Sequence, residues 1–233
     1  MFIDNQVTRF GSGVTNNEVA SIFNSMTMLD PTKFHVFLED FDYFTAGDWT
    51  ITEVGAAGTE ALADGDGGLL LLTVDAGAAD SIAMQKVGSS FLMAAGKKAF
   101  GKFRLKLNLA TQSRFLIGLA ITDTTPEDAT DGMYFIKADG STDISVVCRK
   151  NATTGSTTAV ATTLVDDTFI DLCYFYDGVD RLYYGYNTTV VGYLDASASF
   201  LPDIVLTPTI FVGNGEAVAK IGTVDLFFAA KER

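Results

Sequence analysis

Histidine occurs once in this chain, as His35, and cysteine twice, as Cys148 and Cys173. A Ser/His/Asp or Cys/His nucleophile system would therefore have to use His35. It stands between Phe34 and Val36, where a structural or exposed imidazole is expected rather than a general base. Carboxylates are more plentiful. Glu39, Asp40 and Asp42 invite a glycosidase reading, because paired carboxyl groups can flank a glycosidic bond. A Glu-x-Asp-x-x-Glu run is missing, however, and Glu39 and Asp42 fall on opposite faces of a strand read over Val36–Phe44. No catalytic set is assigned.

Metal and phosphate chemistry fare no better. Asp64-Gly65-Asp66-Gly67-Gly68 looks like part of a calcium loop, yet the closing glutamate twelve positions along is absent. A tight turn entering a strand over Leu69–Val74 is the favoured reading, and no metal or cofactor is expected. Gly213-Asn214-Gly215 is too short for a phosphate loop, and no helical pattern follows it. Cys148 has the parity of Ile144 and Val146, which face inward. Cys173 shares parity with Asp171, opposite Ile170, Leu172 and Tyr174. The two sulfurs then point to different sides of a sheet, so free thiols are expected.

Two clusters depart from the average composition. Lys97, Lys98, Lys102, Arg104, Lys106 and Arg114 hold six of the 16 basic residues, with no acidic residue between them. Such a run is either a solvated strand face whose lysines discourage edge pairing or a patch that docks an acidic partner or a neighbouring subunit. Tyr174, Phe175, Tyr176, Tyr183, Tyr184, Tyr186 and Tyr193 crowd one stretch. Most are expected in core and cross-strand packing. Neighbours on a strand face opposite ways, so only one of each tyrosine pair is outside, where a lectin would use some of them to stack on a sugar's C–H face.

The elements that carry these residues are strands. Among the 233 residues, 48% are hydrophobic and 19% charged, which argues for a folded chain with a sizeable core. Acidic residues outnumber basic ones 29 to 16, a net charge of −13, which points away from nucleic acid and anionic membranes. No apolar run is long enough to span a bilayer. The first five residues show no basic region followed by an apolar one, so no secretory signal is expected.

From His35 onward the apolar period is two. Fourteen segments fit it: Val36–Phe44, Trp49–Val54, Leu69–Val74, Ser81–Val87, Phe100–Leu109, Phe115–Thr122, Met133–Lys137, Asp143–Lys150, Thr157–Leu164, Phe169–Tyr176, Arg181–Tyr186, Thr189–Leu194, Thr209–Val212 and Ile221–Ala229. Phe103, Leu105 and Leu107 alternate with Lys102, Arg104 and Lys106. Phe115, Ile117, Leu119 and Ile121 share a face, as do Val224, Leu226 and Phe228, with Asp225 opposite. Asp139-Gly140 and Asp177-Gly178 sit where hairpin turns are needed. Without helical crossovers the fold class is all-β: an antiparallel jelly-roll β-sandwich over residues 36–233.

Residues 1–35 form a separate arm. Val19, Ile22, Phe23 and Met26 make one face of a short helix over Asn16–Met28, stopped by Asp30-Pro31. Gly11-Ser12-Gly13 reads as a hinge. The arm is too apolar for a free tail and too broken for a domain. It is expected to grip a neighbouring subunit through Phe2, Ile3, Val7, Arg9, Phe10, Ile22, Phe23 and Met26.

From Glu39 to Arg233 the chain resembles the concanavalin A-like sandwich of laminin-G-type and legume-lectin-type domains. The resemblance is carried by Glu39-Asp40-Phe41-Asp42 with Trp49-Thr50-Ile51, then Phe175-Tyr176-Asp177-Gly178, Tyr183 to Tyr186, Val191-Gly192, Leu201-Pro202 and Val224-Asp225-Leu226. The whole chain also resembles a group of tailed-bacteriophage virion proteins, in Phe135 to Gly140 and in Ala229-Ala230-Lys231-Glu232-Arg233. That second resemblance implies a non-enzymatic capsid decoration or cement protein on the virion surface, made in the bacterial cytoplasm. Its implied partners are the major capsid protein and further copies of the chain, as a homo-oligomer. The alternative is a lectin-like module on a virion, with glycans as its ligands.

Overall fold

The computed structural model describes residues 33–88, 90–154, 160–187 and 189–233. Residues 1–32 of the expected arm, with its helix, its hinge and its eight proposed contact residues, lie outside the described residues, whereas Phe34 and His35, assigned to the arm from the sequence, already belong to the first strand of the sandwich. Within the described residues there are seventeen strands, numbered β1 to β17 in chain order. Each of the fourteen segments read from the sequence overlaps a strand, although the first stops at Glu39, short of Phe44, and 157–159 of the ninth lie outside the described residues. The additional strands are short or exposed.

In spatial order, the first sheet runs β15 (Thr189–Asp195), β14 (Arg181–Tyr186), β13 (Ile170–Tyr176), β7 (Ala99–Leu107), β17 (Lys220–Glu232), β4 (Gly67–Val74) and β3 (Thr59–Gly65). On the β4 side of β17, β1 (Phe34–Glu39) takes the far half of the strand, from Phe34 opposite Glu232 to Glu39 opposite Phe227. The second sheet runs β11 (Thr153–Thr154), β10 (Asp143–Lys150), β9 (Gly132–Lys137), β8 (Ser113–Ala120), β16 (Val205–Asn214), β5 (Ser81–Lys86) and β2 (Trp49–Val54). There β12 (Val160–Thr163) also pairs with β10, and β6 (Phe91–Leu92) with β16. Every ladder is antiparallel. Pro208 lies inside β16, between the last β6 partner, Leu206, and the first β5 partner, Thr209. A missing backbone donor is tolerated at such a break in the ladder.

The main core lies between the sheets. Phe103, Leu105 and Leu107 meet Phe115, Ile117 and Leu119 across it, with Phe135, Ile144, Val146 and Tyr174. Two facings differ from the sequence expectation. A bulge in β17 between Val224 and Leu226 reverses the alternation. Phe227 and Ala229 therefore point inward, while Leu226 and Phe228 are only partly buried. Ile121 lies past the end of β8 and packs against a second cluster formed by Ala83, Leu116, Ala120, Ala129, Tyr134, Val147 and Phe211. That cluster is on the outer face of the second sheet, under a loop whose neck is closed by the Ile121 amide donating to Asp131 at 3.0 Å. Buried Gln85 pins the loop, donating to the Ile121 carbonyl at 3.0 Å and accepting from the Asp123 amide at 2.9 Å.

Tyr174 packs on Phe103 and Phe135 with its hydroxyl buried and without a hydrogen-bond partner. An unsatisfied buried hydroxyl costs more than its absence. Tyr174→Phe is therefore expected to stabilise the protein by about 1 kcal/mol, read as a higher urea midpoint at unchanged slope. A lower midpoint would show that the hydroxyl has a partner.

Candidate functional site

The outer face of the first sheet gathers the chemistry that the sequence singles out. Its centre is β7, where Lys102, Arg104 and Lys106 alternate with core residues and so project away from the core. Asp171 on β13 and Asp225 at the β17 bulge stand on either side. Arg104 donates from Nη1 to Asp171 at 2.8 Å and from Nε to Asp225 at 2.6 Å. Lys102 lies 3.4 Å from Asp171, and Lys106 3.3 Å from Asp167. The Arg104 guanidinium also sits 4.9 Å from the Phe169 ring centroid.

The basic run is thus divided. Lys102, Arg104 and Lys106 are paired with carboxylates from distant parts of the sequence. Arg114 is on the second sheet, ion-paired with Glu127 and set over Phe211. Lys97 lines a cleft of about 390 Å³ with Lys33, Phe34, Glu232 and Arg233, while the neighbouring Lys98 amide donates to Glu232 at 2.8 Å. Asp171 and Asp225 are the residues sequence reasoning missed here. Their outward parity was the available signal, since opposite charges on facing rows attract.

A row of rings crosses the same face. Phe100, Phe175, Tyr183 and Tyr193 are direct cross-strand partners on β7, β13, β14 and β15. Successive centroids are 4.7, 6.2 and 5.9 Å apart. The row ends on β15, the last strand of the sheet, where Tyr193 is 54% exposed and carries the Arg181 guanidinium 4.6 Å from its centroid. Tyr174, Tyr176 and Tyr184 face the core instead. The alternation expected of the tyrosine pairs therefore holds.

The candidate catalytic residues do not converge. His35 Nε2 is 3.0 Å from Ser90 Oγ, a pairing the sequence spacing hides. Burial, then Arg233 and Lys231, hold the imidazole below its ordinary value. A base that must become imidazolium is poorly served by two cations beside it. Glu39 ends β1, and Asp42 lies past it in a turn where Phe41 takes φ 58°, so the two do not share a strand as expected. Burial pushes the Glu39 carboxyl up, against the Phe41 amide and Lys86, which lower it. Asp64 to Gly68 closes the β3–β4 hairpin, with Gly65 opposite Gly67. Among the described residues no group of three or more His, Cys, Asp or Glu side chains could hold a metal ion. Both cysteines are free and buried, Cys148 on the inner face of the second sheet and Cys173 on the outer face of the first.

With two antiparallel sheets enclosing one main core, the architecture is that of the concanavalin A-like lectin and glucanase sandwiches. No protein-family model and no curated protein sequence matches the chain. Solved structures do. A protein of unknown function, SO2946 from Shewanella oneidensis MR-1, has TM-score 0.62 and 13% identity, over 86% of this chain and 87% of its own. The carbohydrate recognition domain of Emp47p has TM-score 0.59 and 8% identity, over 87% and 98%. An endo-1,3-beta-glucanase from Streptomyces sioyaensis has TM-score 0.58 and 14% identity, over 88% and 98%. Identities this low define the fold alone, and the fold serves sugar-binding proteins and enzymes alike.

Proposed function

We propose that the chain is a non-enzymatic carbohydrate-binding module, with sugar rings stacking on Tyr193 and Tyr183 at the open edge of the first sheet. One observation carries this reading: the aromatic row ends in an exposed ring on the sheet edge. A flat ring there offers an apolar surface to sugar C–H groups. Polar contacts come from Arg181 and Asp195, which face each other on β14 and β15. Lectin neighbours with the same fold support the reading. The cationic setting of His35 supports the absence of turnover.

The virion setting rests on the resemblance in Phe135 to Gly140 and Ala229 to Arg233. In it the module is displayed on a capsid, with the major capsid protein and copies of itself as neighbours. Electron microscopy of particles with and without the protein tests that part.

A glycan array with the intact protein tests the binding. Specific binding is expected, and Tyr193→Ala should weaken it by about tenfold, the loss of one stacking contact worth roughly 1.4 kcal/mol. Binding that survives Tyr193→Ala unchanged, or no binding to any glycan, overturns the platform. Polysaccharide turnover lost in Glu39→Gln would replace the module with an enzyme.

A further inference from the structure

Carboxylates hold most of the basic side chains. Lys86, Lys102, Arg104, Lys106, Arg114, Lys150, Arg181 and Lys220 are all ion-paired. Lys33, Lys97, Lys98 and Lys231 have no carboxylate partner among the described residues. Sheet register brings these four together, at the rim where β1, β17 and the turn before β7 meet. Lys231 on β17 stands opposite His35 of β1 on one side and Ala99 of β7 on the other. One step further along, the Glu232 amide donates to the Lys98 carbonyl at 2.9 Å and the Arg233 amide to the Lys33 carbonyl at 2.8 Å. Lys33, Lys97 and Arg233 thus come to line one cleft of about 390 Å³. The one carboxylate in its described lining, Glu232, already accepts the Lys98 amide. The Lys231 ammonium reaches the Glu232 carbonyl, at 3.4 Å. Burial, then Arg233 and Lys97, hold that amine below the ordinary lysine range, so these cations are close enough to repel one another. A chain of net charge −13 therefore keeps one hollow of like positive charge, whose repulsion a bound anion would relieve.

We infer that this cleft receives the anionic group of an acidic sugar, a uronate carboxylate or a sulfate ester, and that the glycan on the tyrosine edge is a charged one. The inference rests on the carbohydrate reading above and names the class of sugar. The cleft and the edge are joined through one end of the first sheet. The Gly96 amide donates to the Gly178 carbonyl at 2.6 Å, which ties the turn carrying Lys97 to the β13–β14 turn. Arg181 opens β14 directly after that turn and lies over Tyr193. From β7 to β15 is three strand spacings, about 15 Å, a distance a short oligosaccharide covers. Asp177 lies on the way, but its Oδ1 is turned into its own loop and accepts the amides of Val179, Asp180 and Arg181. The cleft also has the volume of a small-ligand site, a range of about 300–1,000 Å³. Charge at physiological salt is screened beyond about 8 Å, so the acidic surface elsewhere does not cancel the local attraction. Nucleic acid fits less well. With a charge every ~1.7 Å it would set phosphates against Asp177 and Asp180 too, whereas a glycan carries at most a few charges per ring.

The experiment measures binding of the full chain to two pairs of probes by titration calorimetry. One pair is an oligogalacturonate and its methyl ester; the other is a sulfated galactan oligosaccharide and its desulfated form. Each pair keeps the sugar backbone and changes the charge. The acidic member of one pair should bind about tenfold or more tighter than its neutral counterpart, and less tightly at high salt. Which pair shows the difference tells carboxylate from sulfate. Lys33 and Lys97 are exposed, so Lys33→Gln with Lys97→Gln should leave the fold intact, read as an unchanged thermal midpoint. That double variant should lose the preference for the acid and keep the affinity for the neutral member. Equal affinity for charged and neutral members, both weakened by Tyr193→Ala, overturns the inference and leaves the platform standing. A preference that Lys33→Gln with Lys97→Gln abolishes but Tyr193→Ala does not touch keeps the cleft and removes the platform. A preference that survives the double variant overturns the inference. So does tighter binding of a single-stranded DNA oligomer, or no binding of either acidic probe where the array finds a neutral ligand.

Discussion

Lys137→Ala should cost the protein about 3 kcal/mol, the scale of a long core side chain lost together with its hydrogen bonds. Lys137 is fully buried at the end of β9, with the inward parity of Met133 and Phe135. Its ammonium donates to the carbonyls of Ser113, of Ala138 at 3.0 Å, and of Thr111 at 3.5 Å. Those carbonyls belong to the β7–β8 connection between the sheets, to the first residue of β8 and to the turn after β9, so one amine ties the sheet crossing to the β9–β10 hairpin. Truncation leaves a cavity and buried acceptors without donors. Lys137→Met refills the volume but not the bonds, and should cost less.

The pH dependence of that pair is the sharper measurement. Burial lowers the Lys137 amine to about 8, against an unfolded value of 10.5. Between those values the unfolded chain binds the proton that the folded one has released. Stability from this group therefore rises with pH over that window and is flat on either side. The wild type should gain on Lys137→Met by up to about 3 kcal/mol between pH 8 and 10.5, at 1.36 kcal/mol per unit. Burial raises Cys148, Cys173 and Tyr174, which pulls stability the other way as pH rises, but equally in both proteins. Parallel urea midpoints across the window would refute the assignment.

Gly68→Val should be as damaging, by about 3 kcal/mol, the upper range for forced overpacking. A Cβ on Gly68 would overlap the Phe41 carbonyl. The clash is with main chain, so no rotamer change relieves it. The Gly68 amide also donates to the Asp40 carbonyl at 2.9 Å, which clamps the turn after β1 onto β4. Phe41 itself is part of the core, so pushing the turn away draws a buried ring out with it. Thermal unfolding reads the loss. A midpoint within 2 °C of the wild type, where about 3 kcal/mol predicts a far larger fall, would mean that the turn is free to move.

Strand identity was legible because alternation is a local signal. Trp49–Val54, Asp143–Lys150 and Arg181–Tyr186 match their sequence bounds to the residue. What escaped is non-local. β3 has few apolar residues to alternate, because it is an edge strand with an exposed face. β6 and β11 have two residues each, below any period. The bulge at Asp225 turned a correct strand into a wrong facing beyond it, since one inserted residue inverts every later side chain. Cys173 was read outward correctly, from the single parity it shares with Asp171. Of the site, the aromatic alternation was visible, but the carboxylates that hold Arg104 lie 67 and 121 residues away along the chain.

Strand order also sets the timing of folding during synthesis. β17 separates β7 from β4 and β1, and β16 separates β8 from β5, yet these two middle strands come last in the sequence. Until they leave the ribosome, each half-sheet is an unpaired edge with an apolar face. The earlier strands wait while the intervening residues are made, at about 5–20 residues per second. Early ladders such as β3–β4 and β8–β9–β10 can pair, but they cannot complete either sheet. Closure is instead a late, concerted event with a high loop-closure cost, the topology that makes folding slow. The lysines along β7 are made early, and their charge keeps that waiting edge from pairing with another nascent chain.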